Sequence, residues 1–122
     1  MEGARVVVFE DNDRLREHAC LELENHEHQV TAYAKTLRQA LAVVEDIADG
    51  EIQADVVLLD GNLGGENRDC YDARQICQRM QERGVAAKVI GFSAGDMRMH
   101  GVDVDFDSQK NIFAAIDAIA EF

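Results

Sequence analysis

Proline is absent from these 122 residues, so no helix or strand is interrupted by a ring that cannot donate a backbone hydrogen bond. Basic side chains are scarce as well: 12 Lys and Arg stand against 24 Asp and Glu, a formal net charge of −12. Nucleic-acid association leans on Lys and Arg neutralising phosphates, so direct binding of DNA or RNA is not expected. No apolar run approaches the roughly 20 residues needed to span a bilayer. The amino terminus, Met1-Glu2-Gly3-Ala4-Arg5, leads into a strand without a signal-peptide pattern. The expectation is a soluble, cytoplasmic protein with no membrane partner.

Cysteine is sparse. Cys20, Cys70 and Cys77 form an odd set without Cys-x-x-Cys or Cys/His metal spacing and are expected as reduced, packed thiols, although Cys70 and Cys77, two helical turns apart, could share a face. His26 and His28, two apart on a turn, read as solvated surface rather than a metal site. The length implies one domain, residues 1–122, large enough for a core but without room for a separate output module. Any output is expected to pass through a partner protein.

What is present is a set of short apolar runs that each stop on a residue capable of chemistry. Val6-Val7-Val8-Phe9 ends at Glu10-Asp11, Val56-Val57-Leu58-Leu59 at Asp60, and Val89-Ile90-Gly91-Phe92 at Ser93. Runs of this kind, separated by helix-period segments, read as buried strands of a parallel sheet. The carboxyl ends of such strands open on one edge, where ligands of open α/β sheets bind. Three carboxylates brought together there repel one another, and a divalent cation is the simplest explanation of their juxtaposition.

The remaining chain alternates strand and helix five times. Strands are expected at Arg5 to Phe9, Gln29 to Ala34, Ala54 to Leu59, Ala87 to Phe92 and Val102 to Phe106. Asn12 or Asp13 caps the first helix, with Leu15, Ala19 and Leu23 on its inner face. Thr36 caps the second, whose stripe is Leu37, Leu41, Val44 and Ala48, ending near Gly50. The third turns Ala73, Ile76, Cys77 and Met80 inward, with Gly84 past its end. Only Ala94 to Gly101 are left for a fourth, about two turns at 3.6 residues each. The last starts near Ser108 and buries Ile112, Ala115, Ile116 and Ile119. Gly61 to Asp69 is a long Gly-rich connection, expected to be mobile and functional. Right-handed crossovers then imply a doubly wound five-stranded parallel sheet, flavodoxin-like in its order 2-1-3-4-5, with a shortened fourth helix.

Val8-Phe9-Glu10-Asp11-Asn12, Val57-Leu58-Leu59-Asp60 and Ile90-Gly91-Phe92-Ser93-Ala94, in order and at strand ends, resemble the receiver domain of two-component response regulators over nearly the whole chain. The resemblance implies that Asp60 accepts a phosphoryl group, that Glu10, Asp11 and Asp60 hold Mg²⁺ together with the backbone carbonyl of Asn62, and that Ser93 contacts the phosphoryl oxygens. It also implies a histidine kinase or histidine phosphotransfer protein as donor and a downstream protein target. The family places a Lys beyond the last strand. Counting from Phe106, which matches the family's aromatic switch position, reaches Gln109, and Lys110 requires one extra residue; Lys110 is preferred because an amide carries no charge. The family's prolines after the acceptor and after the Lys are replaced here by Gly64-Gly65 and by Asn111.

Two further functions compete. A pseudo-receiver would keep the fold as a docking module without a phosphorylation cycle, which the Gln109/Lys110 register and the short fourth helix favour. Leu59-Asp60-Gly61-Asn62-Leu63 faintly resembles the nucleophile motif of haloacid-dehalogenase-like phosphatases, but these use a second Asp where this chain has Asn62. The chain is accordingly expected not to be a multiple-turnover enzyme.

Overall fold

The computed structural model describes residues 2–60, 63, 71–91, 104–105 and 112–122. Four strands carry the architecture: β1 (Arg5–Phe9), β2 (Gln29–Ala34), β3 (Val56–Leu59) and β4 (Lys88–Gly91). They run parallel in the order β2-β1-β3-β4, and a two-residue segment, β5 (Val104–Asp105), pairs beyond β4 through Ile90 and Gly91. The described helices are α1 (Asp13–Asn25), α2 (Leu37–Ala48), α3 (Tyr71–Glu82) and α4 (Ile112–Glu121). β3 and β4 are shorter than expected, starting at Val56 and Lys88. The expected fourth helix, Phe92 and the start of the last helix at Ser108 lie outside the described residues.

Apolar residues run continuously through β1 and β3 because both faces of the sheet are covered. Val7, Phe9, Val57, Leu59 and Val89 pack with Ala40 and Val44 of α2 and Ala73, Ile76 and Met80 of α3. The alternate residues, Val6, Val8, Val56, Leu58 and Ile90, pack with Ala19 and Leu23 of α1 and with Ile112, Ala115, Ile116 and Ile119 of α4. The period of two along each strand thus feeds two separate cores.

The helix starts follow local chemistry. The Leu15 N–H donates to Asn12 Oδ1 at 3.1 Å and the Gln39 N–H to Thr36 Oγ1 at 3.2 Å, satisfying donors that the first turn leaves over. Past α2 and α3, Gly50 (φ +81) and Gly84 (φ +67) take the left-handed conformation that ends a helix without a Cβ clash. The β1–β2 register slips between Val6 and Val7, leaving Thr31 between paired residues, and its hydroxyl donates to Gln53 O at 2.8 Å. Asp55 is gripped by Arg5 through its backbone N–H at 2.8 Å and two guanidinium bonds at 3.0 Å, which hold its pKa below the usual carboxylate range.

Two expectations for individual side chains are corrected. On α1 the inner face is Arg16, Ala19 and Leu23, with Leu15 only half-buried. On α2 Val44 of the expected stripe is fully buried and Leu37 and Leu41 pack half-buried against the same core, joined by the buried Ala40. His26 is exposed, but His28 is buried at 7% exposure, its Nδ1 accepting the Ala4 N–H at 3.0 Å. Cys20 is a free, half-buried thiol, Cys77 is half-buried as well, and Cys70 lies outside the described residues.

Because Nδ1 of His28 is an acceptor, its imidazole is neutral with the proton on Nε2. Burial first, and the neighbouring His26 second, hold its pKa below 6.5. The unfolded chain therefore takes up a proton in a range where the folded chain resists one. The stability this group contributes is present above about pH 6.5 and is lost as pH falls through the lower, folded pKa. Thermal melts between pH 5 and 8 should show this loss, and His28→Gln should flatten the profile over that window. Parallel profiles for the two proteins would rule out His28 as its source.

Candidate functional site

Parallel pairing of Phe9 with Leu59 sets the next residues of β1 and β3 side by side. The Glu10 N–H donates to Ala34 O at 3.1 Å and the Asp60 N–H to Phe9 O at 2.9 Å, so the ladder continues one residue past the strands and aims two carboxylates at the same edge. Glu10 is fully buried, Asp60 is 4% exposed, and Asp11 is exposed. Each of the three offers an oxygen within 4.8 Å of the others.

The donor set is made of hard oxygens, which suits Mg²⁺ or another hard divalent cation and not a soft transition metal. Two buried carboxylates and one exposed one supply fewer oxygens than an octahedral Mg²⁺ takes, and Mg²⁺ commonly completes its shell with waters or phosphate oxygens.

A cation of the protein's own lies beneath this edge. Arg16, 5% exposed on α1, donates from one guanidinium nitrogen to the Glu10 backbone carbonyl at 3.2 Å and from the other to Asp13 Oδ1 at 2.7 Å. Its guanidinium carbon also sits 5.2 Å from the centre of the Tyr33 ring, within cation–π range. Asp13 meets Lys35 at 3.1 Å too, and these bonds hold its pKa down. Arg16→Met keeps the aliphatic stem but leaves the Glu10 carbonyl without that donor, so a loss of about 1–3 kcal/mol is expected. Urea denaturation should show a lower midpoint at unchanged m-value.

The second residue that the sequence reading missed is Asp72, 2% exposed in the first turn of α3, whose Oδ2 accepts the Leu63 N–H at 2.6 Å. Both carried a signal: Arg16 is spaced i, i+3, i+7 with Ala19 and Leu23, and Asp72 is spaced i, i+4, i+8 with Ile76 and Met80. A charged residue in register with an apolar stripe must find a partner when the stripe is buried. Of the expected site residues, Glu10, Asp11 and Asp60 are brought together; Asn62, Ser93, Gln109 and Lys110 lie outside the described residues.

A parallel α/β sheet with a carboxylate triad at the carboxyl edge of its central strands defines a class of fold, and the solved structures show which one. The chain is similar to the receiver domain of the histidine kinase CKI1 from Arabidopsis thaliana complexed with Mg²⁺, at 20% identity and TM-score 0.75, covering 99% of this chain and 92% of that one. It is similar to the signal receiver domain of the putative response regulator NarL from Mycobacterium tuberculosis, at 23% identity and TM-score 0.72, covering 99% and 98%. A LuxR-family DNA-binding response regulator from Staphylococcus aureus gives 16% identity and TM-score 0.77 over 97% of both chains. No protein-family model and no curated protein matches the chain. The fold is that of a response-regulator receiver domain.

Proposed function

We propose that this chain is a stand-alone receiver that takes a phosphoryl group on Asp60, with Mg²⁺, from a histidine kinase or a histidine phosphotransfer protein, and signals through protein–protein contacts. The observation that carries the reading is the convergence of Glu10, Asp11 and Asp60 on the strand edge of a receiver fold. That two structures of the CKI1 receiver hold Mg²⁺, one of them with BeF3⁻ as well, adds support for the cation.

The chemistry follows from the residues. An Asp60 carboxylate oxygen attacks phosphorus; the bond from phosphorus to the donor's imidazole nitrogen, or to the carboxylate oxygen of acetyl phosphate, breaks with its electron pair leaving on the donor. An acyl phosphate results. Mg²⁺, when bound, neutralises charge on the transferring group. Glu10 and Asp11 hold the cation, Asn62 contributes its carbonyl, Ser93 donates a hydroxyl to a phosphoryl oxygen and Lys110 pairs with another. The same reading carries the complete five-strand order 2-1-3-4-5 with a short fourth helix, and a cytoplasmic setting. Among the described residues no helix is long and apolar enough to cross a membrane.

Hydrolysis of the acyl phosphate resets Asp60, so the chain acts on itself and is not a multiple-turnover enzyme. Intact mass after incubation with acetyl phosphate tests the reading. A gain of one phosphoryl group is expected with Mg²⁺, and none with chelator or in Asp60→Asn. No gain in the folded wild-type chain would turn the assignment to a phosphorylation-independent docking module.

A further inference from the structure

Glu10 and Asp60 are held at the strand edge by burial, whereas Asp11 is exposed, and its carboxylate takes its direction in large part from the two peptide units that flank it. Both units are tied down. The carbonyl of the Glu10–Asp11 unit accepts a bond from a terminal guanidinium nitrogen of Arg16 at 3.2 Å, and the N–H of the Asp11–Asn12 unit donates to Glu10 Oε2 at 3.3 Å. A trans peptide is planar and rigid, so a bond to each unit restricts the turn that presents Asp11.

Arg16 is itself locked. Its other terminal nitrogen donates to Asp13 Oδ1 at 2.7 Å, its guanidinium carbon lies 5.2 Å from the centre of the Tyr33 ring, and only 5% of the residue is exposed. Asp13 is in turn bridged to Lys35 at 3.1 Å, so β2 and the segment after it close over the same group. The planar fork serves its two acceptors at fixed angles, a geometry that an ammonium on a flexible stem does not reproduce. We propose that Arg16 is a positioning residue for the cation site: from beneath the strand edge its guanidinium holds the β1–α1 turn in the form that sets Asp11 beside Glu10 and Asp60. This role rests on the receiver reading for the identity of the cation, Mg²⁺. The sign of the effect separates positioning from charge. A fixed positive charge near the site repels Mg²⁺, so loss of that charge alone would tighten binding. Loss of the hydrogen bonds loosens the turn and weakens binding, and outer partners of metal ligands commonly change affinity or activity by about 10–100-fold when removed.

The test compares wild type with Arg16→Met, Arg16→Lys and Leu23→Val, the last a packing control at a buried position about two turns further along α1. Mg²⁺ is titrated without a phosphodonor, and Kd is read by NMR from the backbone amide shifts of Asp11, Asn12 and Asp60. Phosphoryl incorporation from acetyl phosphate is measured separately. Arg16→Met is expected to raise Kd about tenfold, Arg16→Lys to raise it by less, and Leu23→Val to lower Tm at an unchanged Kd. Tighter binding in Arg16→Met, or a wild-type Kd in both Arg16 variants, overturns the positioning role and leaves the receiver reading standing. If Arg16→Met does not fold, Arg16→Lys decides alone, and a wild-type Kd there overturns the role. A wild type that binds Mg²⁺ but takes no phosphoryl group overturns the receiver reading, while the Kd comparison still decides for or against Arg16. A wild type whose amides do not respond to Mg²⁺ overturns both.

Discussion

Asp60→Asn should melt at a higher temperature than the wild-type chain in chelator and gain nothing from Mg²⁺. Three carboxylates with oxygens within 4.8 Å of one another repel in the cation-free protein. For one pair at that separation, an effective dielectric of 20 gives about 3.5 kcal/mol, and the exposure of Asp11 to water and salt reduces the realised relief to about 1–2 kcal/mol. Asn keeps the shape of Asp and removes its charge. For a chain of this size each kcal/mol corresponds to roughly 3–6 °C in Tm, so a rise of about 3–12 °C is expected. Wild type should instead gain about 2.7 kcal/mol from Mg²⁺ supplied at a hundredfold excess over its Kd. Calorimetry of both proteins with and without Mg²⁺ reads both effects together. A lower Tm for Asp60→Asn in chelator would mean that the carboxylate is stabilised by its surroundings and that repulsion does not govern the cation-free site.

The second large effect lies in the sheet. Leu58, fully buried on β3, packs in the core shared with α1 and α4 and is flanked by paired strands on both sides. Leu58→Ala removes the transfer free energy of the side chain and leaves a void that the strand, held on both edges, cannot close, so a loss of about 2–5 kcal/mol is expected. Against a typical total of roughly 5–15 kcal/mol, that is enough to unfold part of the population near physiological temperature. Chemical denaturation should show it as a lower midpoint, and Leu58→Met, which nearly conserves volume, should lose less than about 1.5 kcal/mol. Equal losses for Ala and Met would place the cost in shape and not in the cavity.

Much of the fold could be read from local pattern. β1 and β2 run over the residues their apolar content marks, Thr36 caps α2, and Ala73, Ile76, Met80, Ile112, Ala115, Ile116 and Ile119 are buried at the spacing of a helix. These features depend on period and on hydrogen bonds within three residues, which the order of side chains specifies directly. β3 and β4 begin later than expected, at Val56 and Lys88 instead of Ala54 and Ala87, because a strand extends only as far as its neighbours pair with it in regular register. Glu10, Asp11 and Asp60 were legible because each follows a strand, and strand ends of a parallel sheet share one edge.

Arg16, His28 and Asp72 are of another kind. Each is a polar side chain that is buried where a backbone group from a different segment meets it: the Glu10 carbonyl, the Ala4 N–H and the Leu63 N–H. The sequence by itself determined the alternation of strand and helix, the two apolar faces and the acidic residues at the strand ends, since these follow from local periodicity and covalent order. Only the tertiary structure decided which charged and polar side chains go inside, because the desolvation of a polar group is repaid by a partner whose position depends on how the whole chain folds.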